Sequence, residues 1–285
     1  MAAKRPNIHK IGDIAYLRVA LVGPSGSGKT GFMADAKKCL YLTTDPEGTY
    51  TAKALGSTAD EIICKTAADF DEAYVWLAEE GHKEYDVVCV DNISETQKLY
   101  LYAAKEAAMK RGAKSDPLVP DPSEYLRAQL AIVKCVKAMH DLPMHVVWTA
   151  HQKGWEDEFG EPYYSMVLQG GKGEIAQTVL GYMNINLFIE RMENKENVEV
   201  RRFWATYKGP FRGKDRTMSI KRFADDLTWS QLLERFEASK RRLAAQGAKA
   251  SAARPASGTS KTSTTRTTRT TTKAATGTRR RVAGK

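Results

Sequence analysis

Residues 23–30 read Gly-Pro-Ser-Gly-Ser-Gly-Lys-Thr and match the pattern GxxxxGK followed by Ser or Thr. Glycines let a backbone wrap tightly enough for its N–H groups to point at one anion. Lys29 is placed to bridge the β- and γ-phosphates, and the Thr30 hydroxyl to ligate Mg²⁺. The alternative is a glycine-rich turn that binds nothing. The predicted phosphate-binding residues are Gly23, Pro24, Ser25, Gly26, Ser27, Gly28, Lys29 and Thr30.

A carboxylate for the metal is expected on a neighbouring strand, and Asp91 directly follows the apolar run 86–90. A carboxylate in this position holds Mg²⁺ and its water shell beside a phosphate-binding loop. The alternative is that Asp91 caps the helix that begins at Asn92. Together, the two segments predict ATP and Mg²⁺ as ligands.

The phosphate-binding segment needs a strand before it and a helix after it, and both are predicted, at 16–22 and 30–38. Elsewhere, short and nearly continuous apolar runs alternate with helical patterns. Such runs are typical of an α/β fold with a mostly parallel sheet covered by helices on both faces. The other predicted strands are 40–43, 61–64, 86–90, 145–149, 184–190 and 198–206, and the other predicted helices are 68–80, 92–111 and 121–141.

Charge divides the chain into a balanced body and a basic tail. The 285 residues include 44 Lys and Arg and 34 Asp and Glu, a net charge of +10. Ten of the basic residues and none of the acidic ones lie in 247–285, so the body is not a uniformly basic nucleic-acid-binding domain. We expect a leader at 1–12, a folded core at 13–225, a helix at 226–246 capped by Thr228, and a disordered tail at 247–285.

Two features bear on location. No apolar run approaches the roughly 18 residues of a membrane span, and residues 1–10 lack the apolar stretch of a secretory signal. Cys39, Cys64, Cys89 and Cys135 form no CxxC pair, which favours reduced structural thiols. The sequence therefore predicts a cytoplasmic protein with no membrane partner.

Residues 47–50, Glu-Gly-Thr-Tyr, follow the second predicted strand. This segment resembles, residue for residue, the turn after the corresponding strand in the RecA-fold recombinases. The resemblance implies a RecA-like P-loop core in which Glu47 is the catalytic base that polarises the attacking water. The alternative is a surface turn carboxylate, with Asp45 and Pro46 supplying ordinary turn chemistry.

The predicted strand 145–149 leads to His151 and Gln152. In the same family this strand ends in a polar residue that contacts the γ-phosphate. The resemblance implies that role for His151 first and for Gln152 second. The alternative is a histidine whose only role is a structural hydrogen bond.

Residues 205–213 resemble a basic segment through which RecA-like relatives reach the nucleotide of the neighbouring subunit. Lys208 and Arg212 would then act in trans on the transferred phosphoryl group. The spacing differs from the family's pattern by inserted residues. A solvated basic loop is the alternative.

Taken together, these motifs resemble phage-encoded RecA-like ATPases, often labelled ATP-binding or AAA proteins, over residues 13–225. Some of those relatives act as single-strand annealing proteins, which implies phage recombination and host cytoplasm. AAA+ ATPases are disfavoured because Asn92, not a glutamate, follows Asp91. Small-molecule kinases are disfavoured by the Glu47 turn and by the lack of an obvious lid with paired arginines.

Single-stranded DNA is the predicted polymer partner. RecA-like loops that hold DNA correspond to residues 110–121 and 153–172, where cations and aromatic residues are suited to phosphates and bases. An acidic cluster within 156–161 makes a lid or subunit contact an equal alternative. The basic tail adds salt-sensitive attraction, or is a solubilising extension. The candidates are Lys110, Arg111, Lys114, Lys153, Trp155, Tyr163, Tyr164 and Lys172, with Lys214 and Arg216 as further cations.

The resemblance also implies self-association into a ring or filament and contact with phage replication or recombination proteins. Two other functions stay open. One is a helicase or helicase-loading motor of the same fold. The other is a nucleotide-switched assembly protein with little turnover.

Overall fold

The computed structural model of the protein describes residues 14–112, 116, 118–170 and 173–252. The strands are β1 (Arg18–Gly23), β2 (Cys39–Thr43), β3 (Asp60–Ile63), β4 (Val87–Asp91), β5 (His145–Glu156), β6 (Pro162–Met166), β7 (Ile185–Glu193), β8 (Glu199–Trp204), β9 (Tyr207–Lys208), β10 (Phe211–Arg212), β11 (Lys214–Asp215) and β12 (Phe223–Asp225). The helices are α1 (Lys29–Phe32), α2 (Tyr50–Ala54), α3 (Ala67–Glu79), α4 (Ile93–Lys110), α5 (Pro122–His140), α6 (Glu174–Tyr182) and α7 (Trp229–Ala252).

The central sheet has the strand order β12-β8-β7-β1-β5-β4-β2-β3. The strands from β7 to β3 in this order run parallel, whereas β8 and β12 add antiparallel strands beyond β7. In addition, β6 pairs with β5 and β11 pairs with β7, both antiparallel. The prediction of an α/β fold with a mostly parallel sheet is confirmed.

Helices cover both faces of this sheet. Phe70 of α3, Ile132 of α5 and Val179 of α6 belong to one buried apolar cluster with the sheet. Phe32 of α1 and Trp229 of α7 belong to a second cluster on the other face. Because strand side chains alternate between faces, each central strand contributes to both clusters, which explains its nearly continuous apolar sequence.

The register brings the predicted site residues to one edge of the sheet. Gly23, the last residue of β1, lies opposite His151 of β5. Asp91, the last residue of β4, lies opposite Thr43, the last residue of β2. Because the strands are parallel, their carboxyl ends meet at this edge, where open α/β sheets bind ligands.

Most of the predicted elements are present, with ends shifted by up to three residues. Helix α5 begins with a capping box, in which Asp121 N donates to Glu124 Oε2 at 2.8 Å, and Pro122 occupies its first turn. Seven of the elements named above were not predicted: the helices α2 and α6, the strand β6 and the short strands β9 to β12.

The predicted helix at 30–38 was wrong in length. Helix α1 comprises four residues, Lys29–Phe32. The chain then continues through short-range backbone bonds, from Ala34 N to Gly31 O (3.3 Å) and from Ala36 N to Met33 O (3.0 Å). So short a helix adds little macrodipole, so an anion bound at the loop would be held mainly by loop N–H groups and Lys29.

Two predicted boundaries were also wrong. The stretch 153–172 was expected to be a loop, but β5 runs on to Glu156 and forms a hairpin with β6. The C-terminal helix was expected at 226–246 and the tail from 247, but α7 extends to Ala252. The predicted leader at 1–12 and residues 253–285 of the predicted tail lie outside the described residues. None of the helices in the described ranges is long and apolar enough to cross a membrane.

Candidate functional site

The glycine-rich loop joins β1 to α1 at the carboxyl edge of the sheet. Gly26 and Gly28 have φ values of 73° and 92°, in the left-handed region that side chains other than glycine rarely adopt. A backbone of this kind directs successive N–H groups to one side, as an anion-binding loop requires. The loop has the shape that its sequence predicts.

The Lys29 side chain folds back over the loop. Its Nζ donates hydrogen bonds to the carbonyl oxygens of Gly23 (3.0 Å) and Pro24 (2.8 Å). Burial lowers the pKa of Lys29, and the nearby charge of Asp91 opposes that change. A buried amine that is bound only to neutral carbonyl groups gains strongly from an anionic partner such as a phosphate.

Ser27 provides a test of whether the loop fits a ligand. Ser27 is 2% exposed, and its Oγ has no hydrogen-bond partner among the described residues. Buried hydroxyl groups are normally hydrogen-bonded. The unpaired Ser27 hydroxyl is therefore consistent with a bound ligand that supplies the missing hydrogen bond. The residues present therefore fit a nucleotide.

Asp91 connects the loop to the centre of the sheet. Thr30 Oγ1 donates to Asp91 Oδ2 at 3.1 Å, and Thr149 Oγ1 donates to Asp91 Oδ1 at 2.6 Å. Asp91 does not cap α4, because the capping residue is Asn92, whose Oδ1 accepts from Glu95 N at 3.0 Å. The capping alternative for Asp91 is therefore excluded.

The oxygen pair of Thr30 and Asp91 fits a magnesium site. No cluster of three or more His, Cys, Asp or Glu suited to a metal occurs within the described ranges. Mg²⁺ at a phosphate site does not need such a cluster, because one or two protein oxygens, several waters and substrate phosphates complete its octahedron. The predicted ligands Thr30 and Asp91 are brought together at hydrogen-bond distance.

Thr149 is a residue that the sequence reasoning missed. It is fully buried, at 0% exposure, on β5 between β1 and β4. The sequence pattern placed Thr149 at the end of an apolar strand. The signal that could have found it is a hydroxyl group on the strand next to the one that ends in the predicted metal ligand Asp91. Its contact with Asp91 fixes the orientation of that carboxylate.

His151 lies beside the loop, as its place opposite Gly23 requires. Burial, and then the charge of Lys29, lowers the pKa of His151. Its Nε2 is 3.5 Å from Asn92 Nδ2. Gln152 projects from the opposite face of β5 by strand alternation, which favours His151 over Gln152 as the residue near the phosphates.

Glu47 lies in an exposed turn after β2. Its backbone N–H donates to Asp45 Oδ1 at 3.1 Å, and no hydrogen bond of its carboxylate is found among the described residues. A cleft of about 530 Å³ at the same sheet edge is lined by Asp45, His151 and Glu95, but not by Glu47. Glu95, on the first turn of α4, is a second carboxylate that the sequence reasoning did not single out.

The two cations predicted to act in trans differ in environment. Lys208 is exposed. Arg212 forms an ion pair with Asp157 of its own chain, with Nη2 and Oδ2 3.0 Å apart. Its guanidinium also lies 5.1 Å from the ring centre of Tyr163 and 5.2 Å from that of Tyr207. Asp157, from the predicted acidic cluster, thus serves as an internal partner for Arg212.

Arg212 faces a second cavity, of about 450 Å³, beside the β5–β6 hairpin. Lys214 and Arg216 line the same cavity, and burial together with Arg216 lowers the pKa of Lys214 to about 8. Ser165 and Asn186 also line it, and Ser165 Oγ and Asn186 Oδ1 are buried without partners among the described residues. The structure therefore gathers three of the predicted cations, Arg212, Lys214 and Arg216, around one cavity.

The remaining DNA candidates are dispersed. Lys110 and Arg111 end α4, and Lys110 pairs with Glu106 at 2.8 Å on the surface. Lys153 Nζ lies 4.6 Å from the ring centre of Trp155 on the hairpin. The candidates Lys114 and Lys172 lie outside the described residues.

Residues 15–244 match the family model AAA_24, described as an AAA domain. No curated protein matches the sequence. The prediction that disfavoured AAA+ ATPases, because Asn92 follows Asp91, receives no support from this match. The match covers most of the chain, so the protein belongs to the AAA domain family, and residues 15–244 form an AAA-type, nucleotide-binding P-loop ATPase domain.

Proposed function

We propose that this AAA domain is a Mg²⁺-dependent, RecA-like ATPase that acts on single-stranded DNA in phage recombination or annealing. The observation that carries the ATPase part is the contact between Thr30 and Asp91 beneath the loop that holds Lys29. ATP phosphates would replace the carbonyl partners of Lys29. Mg²⁺ bound near Thr30 and Asp91 would neutralise charge on those phosphates.

Hydrolysis also needs a carboxylate that polarises water, and the chain offers two. The RecA resemblance assigns that role to Glu47, whereas Glu95 lines the cleft with His151. The variants Glu47→Gln and Glu95→Gln form a matched pair. We expect Glu47→Gln to keep ATP binding and lose about 100-fold or more in hydrolysis rate, and Glu95→Gln to stay near wild type. The reverse result would transfer the role to Glu95.

The DNA part of the proposal is supported by the 450 Å³ cavity. Its cations Arg212, Lys214 and Arg216 outnumber the single carboxylate of Asp157, and tyrosine rings lie among them. Cations for phosphates and rings for bases are the chemistry of sequence-tolerant strand binding. The ten cations of residues 247–285 would add an electrostatic tether without stacking, because that segment has no aromatic residue.

The DNA proposal predicts a specific change in salt dependence. We expect Lys214→Met to weaken oligothymidine binding and to reduce the slope of log K against log salt by about 1. Lys195→Gln, which removes an exposed charge in the β7–β8 turn, is the control and should leave the affinity unchanged. Equal slopes for wild type and Lys214→Met would remove this cavity from the DNA site.

Self-association completes the proposal, with Lys208 or Arg212 reaching a neighbour's nucleotide in a ring or filament. Mixing Arg212→Ala subunits with Glu47→Gln subunits should partly restore ATPase activity, because each subunit type supplies what the other lacks. An absence of restoration at any mixing ratio would assign Arg212 to its own chain, where Asp157 already holds it.

The decisive experiment is ATPase activity with and without oligothymidine, with electron microscopy of the same samples and Lys29→Ala as the inactive control. Stimulation by DNA without unwinding of a forked duplex supports a recombinase or annealing protein. ATP-driven unwinding would support a helicase. Tight ATP binding with negligible turnover would support a nucleotide-switched assembly protein. Wild-type activity in Lys29→Ala would overturn the site itself.

A further inference from the structure

Arg201 of β8 lies against the glycine-rich loop, although it is distant from the loop in sequence. Strand alternation places Arg201 on the same face of the sheet as Phe203, whose ring centre lies 5.5 Å from that of Phe32 in α1. The next residue, Arg202, projects from the other face. One of two adjacent arginines therefore faces the helix that follows the loop.

The glycines of the loop region leave room for this side chain. A Cβ atom placed on Gly28 would lie 2.8 Å from Arg201 Cδ and 3.2 Å from its Nη1. A Cβ atom placed on Gly31 would lie 3.4 Å from the same Nη1. The guanidinium is thus packed over the start of α1, where backbone N–H groups of such loops hold the α- and β-phosphates.

Asp226 orients the guanidinium through one edge only. Arg201 Nε donates to Asp226 Oδ1 at 3.1 Å, and the two backbones are joined by a hydrogen bond from Asp226 N to Arg201 O at 2.8 Å. Neither Nη atom has a hydrogen bond among the described residues. The side chain is 26% exposed, so its Nη groups are held in place and remain available to a ligand.

The position of Arg201 indicates which phosphate it serves. Lys29 is placed for the β- and γ-phosphates, and Thr30 with Asp91 for the metal. Gly28 and Gly31 flank Lys29 and Thr30 in the chain. A Cβ atom placed on either glycine would touch Arg201. The phosphate that these groups leave without a cation is the α-phosphate, next to the sugar. A planar guanidinium is well suited to bind two of its oxygens.

We propose that Arg201 binds the α-phosphate of the nucleotide held by the loop of its own chain, with Asp226 as its positioning residue. The inference rests on the proposed ATPase function and adds a cis-acting cation to it. It differs from the roles of Lys208 and Arg212, which would act on a neighbour's nucleotide.

The chain provides a matched control for the test. Arg202 is also paired with an aspartate, Asp225, through two bonds of 2.7 Å, and its guanidinium lies 4.1 Å from the ring centre of Phe223. Arg201→Met and Arg202→Met therefore each remove an arginine from an ion pair on β8. Only the first removes a charge that faces the loop.

Calorimetric titration of the full chain with ATP and Mg²⁺ tests the inference. Arg201→Met should weaken ATP binding by about 10- to 100-fold, the range for one charge-assisted hydrogen-bonded contact. Arg202→Met should bind ATP like wild type. Arg201→Lys, which keeps the charge and loses the planar fork, should give an intermediate affinity and shows that the strand still folds.

Sulfur substitution identifies the phosphate. In the two diastereomers of adenosine 5′-O-(1-thiotriphosphate), sulfur replaces one or the other non-bridging oxygen of the α-phosphate. Wild type should bind one diastereomer more tightly than the other. Arg201→Met should lose that preference, whereas Arg202→Met should keep it. An unchanged preference or an unchanged ATP affinity in Arg201→Met would overturn the inference. ATP binding that is absent from wild type would instead overturn the proposed function.

Discussion

Replacing Thr149 with valine tests how the fold orients Asp91, the carboxylate of the proposed metal site. Thr149 is fully buried, and its Oγ1 donates a 2.6 Å hydrogen bond to Asp91 Oδ1. Valine has nearly the same shape and lacks the hydroxyl group. The variant therefore removes one hydrogen bond and, among the described residues, leaves the Asp91 carboxylate with the hydrogen bond from Thr30 alone.

The structure sets the size of the expected effect. A hydrogen bond to a charged group contributes about 1.5–3 kcal/mol, so the free energy of unfolding of Thr149→Val should fall by about that amount. A domain of this size retains a folded population after such a loss, because typical stabilities are about 5–15 kcal/mol. Removing the support of a metal ligand costs about 10- to 100-fold in metal affinity, so the Mg²⁺ concentration for half-maximal ATPase activity should rise by that factor.

Two control variants make this prediction specific. Thr149→Ser keeps the hydroxyl and should restore the wild-type Mg²⁺ dependence. Thr43→Val removes another buried hydroxyl at the same sheet edge, but Thr43 Oγ1 donates to Asp45 O at 2.9 Å and not to Asp91. It should lose stability without a change in Mg²⁺ dependence. The reasoning is refuted if Thr149→Val loses stability while its Mg²⁺ titration overlays that of wild type.

Two further predictions concern stability. Burial lowers the pKa of His145 to about 4 and that of His140 to about 3, and each ring accepts a hydrogen bond that protonation would break. Below pH 6.5 the unfolded chain binds protons at these two histidines and the folded chain does not. The free energy of unfolding should therefore fall as the pH is lowered from 6.5 to 4, by up to about 1.4 kcal/mol per pH unit for each histidine. Denaturant titrations across this range measure the slope, and an unchanged slope in His145→Gln would contradict the assignment. Separately, Lys105 and Glu124 form a buried ion pair between α4 and α5 at 3.5 Å, and Lys105→Met should destabilise the fold by about 3–5 kcal/mol. Lys110→Met, in an exposed pair, should cost less than about 1 kcal/mol, and equal losses for the two variants would refute the argument.

The part of the site that lies in one stretch of chain could be predicted from sequence. Gly28, Lys29 and Thr30 are neighbours, and the loop geometry that makes them useful is a local property of glycine-rich backbone. Asp91 was predicted as a metal ligand because an apolar strand leads directly to it. The α/β class followed from alternating strand and helix patterns, since periodicity reports which faces are buried.

The sequence was misleading where local patterns compete with tertiary contacts. Helical spacing after the loop predicted a helix to residue 38, but α1 ends at Phe32. The polar and glycine-containing stretch after Lys153 was predicted as a loop, but pairing between β5 and β6 makes it a hairpin. Strand pairing supplies hydrogen bonds that no local pattern records, so it overrides weak propensities.

By itself, the sequence predicted a nucleotide-binding loop, a carboxylate proposed to hold a metal, and an α/β core, because each depends on adjacent residues or on periodic burial. Only the tertiary structure decided that Thr149 supports Asp91 and that Arg201 reaches Gly28. These contacts depend on the order and register of strands in the sheet. That order is set by the packing of both faces together, which is a property of the whole core.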